Sequence, residues 1–168
     1  MSDQLDPSES PPPRSDGPHV GLYATCLVDL MRPSVGFATL KLLEQVGCRV
    51  SVPEQQTCCG QPAYNSGDKK STREIAKQVI ETFEAFDYVV VPSGSCGGMI
   101  SHHYPSLFDG DEKWASRAQA LSNKTFELTV FLNDILNISD FKAVCHSTAT
   151  YHDSCSGLRE LEIKDQPR

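Results

Sequence analysis

The chain has 168 residues, with 15 basic against 22 acidic side chains and a net charge of −7. That sign excludes broad binding to nucleic acid or to an anionic membrane surface, where basic residues supply the attraction. A hydrophobic share of 39% is enough for a buried core and excludes disorder throughout, which leaves seven cysteines as the unexplained feature.

Residues 1–19 read as a disordered, proline-rich tail. The stretch Met1 to Pro18 holds five prolines and four acids and almost nothing apolar. Burial cannot offset the entropy of ordering such a segment. It lacks the cationic start and apolar run of a secretory leader. No later segment reaches the roughly 18 consecutive apolar residues of a membrane span. The expectation is a cytoplasmic protein, where thiols stay reduced and clustered cysteines mean metal or redox chemistry.

The folded part is expected from Val20. Val20 to Ala24 reads as a buried strand, and Pro33 to Val46 as a helix with Pro33 in its first turn and Gly47 beyond its end. Cys48 to Val52 alternates as a second strand. A loop rich in Cys, Gly and Pro follows, from Glu54 to Gly67. Ser71 and Glu74 suggest a capping box for a helix whose face is Ile75, Val79, Phe83 and Phe86, with Ile80 beside them. Tyr88 to Val91 is a third strand, followed by a glycine-rich loop from Pro92 to Gly98. Helices are expected over Lys113 to Leu121 and Phe126 to Leu136, a fourth strand over Ala149 to His152, and another helix from Leu158. Alternating strands and helices predict an α/β fold, a parallel sheet flanked by helices in a Rossmann-like three-layer arrangement. Ligands of such sheets sit outside the carboxyl ends of the strands.

Five cysteines map to that edge. Cys26 follows the first strand, Cys58 and Cys59 the second, Cys96 the third and Cys155 the proposed fourth. Cys48 and Cys145 fall outside the set and read as buried packing residues. The tandem Cys58-Cys59 with Gly60 allows both sulfurs to face one metal centre. The small residues around Cys96 would let backbone approach a bulky inorganic ligand and donate N–H groups to its sulfurs. Thiolates are soft donors suited to iron–sulfur clusters.

Cys26, then Cys58-Cys59-Gly60 after 31 residues, then Cys96 after 36 more beyond Cys59, resembles the CCG cysteine-rich domain. That domain is known from the B subunit of heterodisulfide reductase and from glycolate oxidase iron–sulfur subunits. The decapeptide Cys58 to Gly67, then Pro92 to Cys96, then Tyr151-His152-Asp153-Ser154-Cys155, are similar to the lactate-utilisation protein A family. The resemblance implies an iron–sulfur centre, of 4Fe–4S type, held by Cys26, Cys58, Cys59 and Cys96, with Cys155 as a possible fifth ligand. It also implies electron transfer in the oxidation of L-lactate to pyruvate, with other iron–sulfur and lactate-utilisation subunits as partners. The general motif closes with Cys-x-x-Cys, whereas Cys96-Gly97-Gly98 is followed here by Met99. The family carries two such repeats. On that pattern residues 20–140 are the first cysteine-rich domain and residues 141–168 the beginning of a second.

Three other readings compete. Cys26 with Arg32 has the Cys-x5-Arg spacing of a phosphatase loop, but Leu27, Leu30 and Met31 are bulky and Asp29 would repel phosphate. A metal-free thiol–disulfide oxidoreductase could cycle through Cys58, Cys59 and Cys96. A non-catalytic interaction subunit is the third. His102, His103 and His152 lie close enough in sequence to Cys96 or Cys155 to approach the same site, although an ordinary loop or helix-start position is the simpler reading for the first two and the functional role is the lesser reading for His152 as well.

Overall fold

The computed structural model describes residues 16–168 apart from Ser139, Lys142, Ala143 and Cys145. Most of the tail, and the packing role expected of Cys145, lie outside the described residues. Four short strands form one sheet: β1 (His19–Leu22), β2 (Arg49–Ser51), β3 (Tyr88–Val91) and β4 (Thr125–Glu127). All pairings are parallel and the order is β2-β1-β3-β4. Val20 pairs with Val50 on one side and with Tyr88 on the other. The two central strands are apolar runs because both their faces are covered.

The helices are α1 (Cys26–Met31), α2 (Pro33–Gln45), α3 (Gln61–Asn65), α4 (Lys69–Phe83), α5 (Gly94–Gly98), α6 (Tyr104–Leu107), α7 (Glu112–Ser122), α8 (Leu128–Val130) and α9 (Cys155–Arg159). Wider π turns, Met99–His103 and Phe131–Ile135, continue α5 and α8. Side chains alternate across β3 and so divide the core into two layers. Val89 and Val91 join Val79, Ile80 and Phe83 of α4 and Leu121 of α7 on one face. Val90 joins Leu43 of α2, Val20, Cys48 and Phe131 on the other. The α/β sandwich expected from the sequence is therefore the observed architecture.

Gly21 shows how tightly α4 lies on the sheet. A Cβ there would stand 2.8 Å from Phe83 Cδ1 and 2.9 Å from Phe86 Cδ2. Glycine is the residue that lets both rings lie on the strand.

Several local expectations need correction. The fourth strand is Thr125–Glu127, overlapping the start of the segment expected to be helical, whereas Ala149 to His152 has no regular structure. The Val-Val-Val edge of β3 offers free backbone partners, and Thr125 to Glu127 takes them before α8 begins. Asp68 caps α4 in place of the Ser71 and Glu74 box, its carboxylate accepting from the Ser71 N–H at 3.0 Å. Pro92 to Gly98 is not a simple loop, since α5 starts at Gly94. The last helix starts at Cys155, three residues before Leu158. On α2, Thr39 and Leu43 face inward while Val35 is 41% exposed, so the buried stripe is narrower than the apolar pattern.

Candidate functional site

Strand order reverses at the β1/β3 junction, with β2 on one side of β1 and β3 on the other. Such a junction opens a crevice beyond the strand ends, because the connections leave in opposite directions. The segments after β1, β2 and β3 bring Cys26, the Cys58-Cys59 pair and Cys96 to this edge.

Cys26 opens α1 and is exposed. The helix starts there because the Thr25 hydroxyl accepts from the Val28 N–H at 3.3 Å. Cys58 and Cys59 lie between β2 and α3. Gly60 follows them with φ of +82°, a left-handed conformation that favours glycine and turns the chain into α3. Cys96 is buried within α5.

The two adjacent thiols separate. Cys59 is buried, and its S–H donates to Cys96 Sγ at 3.4 Å. Cys58 is half-buried and lines a cavity of about 330 Å³ together with Cys26. Partial burial, then neighbouring Cys58 and Cys96, raises the Cys26 thiol above its usual range. The hydrogen bond from Cys59 is the main cause that lowers Cys96, helped by the Ser93 and Ser95 hydroxyls; Cys59 correspondingly holds its proton. Of this pair, Cys96 is the thiol that ionises more easily.

The backbone beneath the sulfurs is pinned by side chains. Tyr23 donates to the Thr57 carbonyl at 2.5 Å and Tyr104 to the Cys59 carbonyl at 2.9 Å. The side-chain amide of Gln61 donates to the Ser95 carbonyl at 3.4 Å, and the Gln56 carbonyl oxygen accepts from the Ala24 N–H at 2.8 Å. Burial first, and nearby thiols behind it, keeps both phenols protonated. Tyr23, Gln56 and Gln61 were not singled out from the sequence. The available signal was a tyrosine directly behind a buried strand, whose hydroxyl must find an acceptor.

The remaining candidates occupy different surroundings. Cys155 is exposed at the start of α9, which the Ser154 hydroxyl caps, and among the described residues the expected strand over Ala149 to His152 does not lead into it. Cys48 is fully buried in the second core layer, as expected, and burial pushes its thiol up to about 11. His103 stacks on Tyr64 at 4.8 Å and meets Glu160 at 2.6 Å, while His102 and His152 are exposed. The glycines around Cys96 have a different purpose from the one expected. A Cβ on Gly94 would lie 2.8 Å from the Gly157 nitrogen, and one on Gly98 would lie 2.6 Å from the Glu160 carboxylate. These positions are small because α9 packs on α5.

Among the described residues, no three Cys, His, Asp or Glu side chains are gathered closely enough to hold a single metal ion. One tetrahedral thiolate ion would need sulfurs about 3.8 Å apart, from metal–sulfur bonds of about 2.3 Å. A polynuclear cluster attaches its thiolates to separate irons and spreads them further. The donor chemistry of Cys26, Cys58, Cys59 and Cys96 fits such a cluster, since all four are soft sulfur ligands at one sheet edge.

Residues 20–101 match the family model described as CCG, the cysteine-rich domain. Residues 20–101 form a CCG cysteine-rich domain. The chain is similar to proteins named lactate utilization protein A from Geobacillus sp. (strain WCH70) and Geobacillus kaustophilus, 52% identical over 148 residues in both cases. A third relative of that name, from Bacillus cytotoxicus, is 51% identical over the same length. Each match covers 88% of this chain and 62% of the relative, so the chain spans less than two thirds of those proteins. No solved structure matches significantly. Within the CCG domain the described residues include no helix long and apolar enough to cross a membrane, and the same holds for the rest of the described chain.

Proposed function

We propose that this chain is an iron–sulfur electron-transfer component of a system that oxidises L-lactate to pyruvate. The observation that carries the reading is the convergence of Cys26, Cys58, Cys59 and Cys96 on the β1/β3 switch point. These four would hold a cluster, with Cys155 the candidate for a fifth position. When bound, a 4Fe–4S cluster would accept and release single electrons. The chain's own contribution is to hold the four sulfurs at one sheet edge and to exclude water from Cys59 and Cys96. Among the described residues, the cavity beside Cys26 and Cys58 is lined by the acidic Asp29 and Glu54 together with uncharged side chains. On this reading other iron–sulfur and lactate-utilisation subunits are the partners with which the site exchanges electrons. A cytoplasmic location accords with the reduced thiols the site requires.

The test is anaerobic reconstitution with iron and sulfide, scored by iron and acid-labile sulfide content. The expected result is a coloured protein that loses its iron in Cys59→Ser and keeps it in Cys48→Ser. An iron-free wild type would sink the proposal. The 3.4 Å contact between Cys59 and Cys96 favours one second reading, a metal-free dithiol that cycles through a disulfide. That reading predicts a colourless protein whose two thiols disappear on mild oxidation and return with a thiol reductant.

A further inference from the structure

The Thr57 to Cys59 stretch lies between β2 and α3, outside every strand and helix. Its carbonyls would be loose acceptors at a buried edge without partners from elsewhere. Two phenols supply them. Tyr23 follows β1 directly and sits three residues before Cys26, and its hydroxyl reaches the Thr57 carbonyl at 2.5 Å. Tyr104 opens α6, at the end of the helical stretch that begins with the Cys96 turn, and its hydroxyl reaches the Cys59 carbonyl at 2.9 Å. Both tyrosines are fully buried. Each phenol thus belongs to a segment that also carries one of the other thiols.

We propose that Tyr23 and Tyr104 are positioning residues that clamp the tandem-cysteine loop from both ends, so that Cys59 is held inward against Cys96 while Cys58 faces the Cys26 cavity. Adjacent residues place their side chains on opposite sides only while the peptide between them is fixed. With the Thr57 and Cys59 carbonyls both held, the peptides on either side of the Cys58–Cys59 unit are fixed, and the pair cannot turn as a whole to exchange its two sulfurs. The hydroxyls act here, not the rings: Tyr23 packs on Phe83 at a centroid distance of 5.4 Å, a contact phenylalanine would keep. As a refinement of the sulfur site, the clamp rests on the proposed reading, but its consequence for thiol accessibility does not need a cluster.

The test uses the full chain, reduced and metal-free, with Tyr23→Phe and Tyr104→Phe. Iodoacetamide labelling is followed by peptide mass spectrometry at Cys59 and at Cys48, two buried thiols in different core layers. Losing one buried hydrogen bond should speed Cys59 labelling about fivefold to tenfold in either variant, with Cys48 unchanged within about twofold. After reconstitution, the variants should also show a shifted EPR signature at undiminished iron content. Equal acceleration at Cys48 would reveal general loosening and overturn the proposal, as would unchanged labelling at Cys59. Failure of both variants to fold overturns it too, because the phenols would then be structural. A wild type that takes up no iron would defeat the cluster reading alone and leave the labelling result to judge the clamp.

Discussion

Replacing Gly94 by alanine tests whether α9 is seated on the Cys96 helix. The added Cβ would stand 2.8 Å from the Gly157 nitrogen and 3.1 Å from its Cα, closer than real Cβ contacts, and backbone on both sides leaves no flexible side chain to swing away. Overpacking of this kind costs about 1–3 kcal/mol. Alanine returns up to about 1 kcal/mol of helix propensity, less at a first turn. The net loss should be about 1–2 kcal/mol, a fall in Tm of roughly 2–8 °C for a chain of this size. The cheaper relief is for α9 to lift away, releasing Gly157 and Ile163 from burial and parting Glu160 from His103. Limited trypsin digestion reads this directly, since Arg159 lies in α9 and Lys164 just beyond it. Cleavage at both sites should speed up about tenfold, while sites in α4 and α7 hold. If Gly94→Ala is as stable as the wild type or more so, with cleavage unchanged, the close approach of the two helices is wrong.

Gly21→Ala should cost about 1–3 kcal/mol in urea unfolding, because Phe83 and Phe86 both occupy the space of the new methyl; a neutral result would contradict the packing of α4 on β1. Asp68→Ala removes the acceptor of the Ser71 N–H and should cost about 1 kcal/mol, while Asp68→Asn should retain most of it. In the metal-free protein, Cys96 should be alkylated faster than Cys48 at pH 7 to 8. The thiolate is the reacting form, and Cys96 is lowered while Cys48 is raised to about 11. Cys96 reactivity should fall as pH drops through its depressed pKa, and Cys48 should stay inert until strongly alkaline conditions. Equal rates at pH 8 would refute this ordering of the two thiols.

The layered fold was legible because it rests on long apolar periodicities, such as the α4 face and the Tyr88 to Val91 run. The fourth strand was not. Thr125 to Glu127 is three residues long and gains strand geometry from the exposed edge of β3, which no local pattern records. The convergence of four cysteines could be read because each follows a strand that was identified. Cys155 was placed by the false strand at Ala149 to His152, and the structure puts it at a helix start instead. The glycines near Cys96 were read as room for a ligand, and the sequence could not show that α9 fills that room. The phenol contacts were hidden for a similar reason, since they join residues 34 and 45 positions apart.

The contact between Cys59 and Cys96 joins segments that follow β2 and β3, strands that are not neighbours and that meet only through β1. Bringing these sulfurs together therefore requires all three strands to be in register. A nascent chain before that point offers only the sequence-adjacent Cys58 and Cys59, a poor chelate for a cluster. On the proposed reading, cluster loading would wait for sheet completion: a misfolded copy would stay unloaded, and sulfur-site occupancy would report on whether the chain had folded.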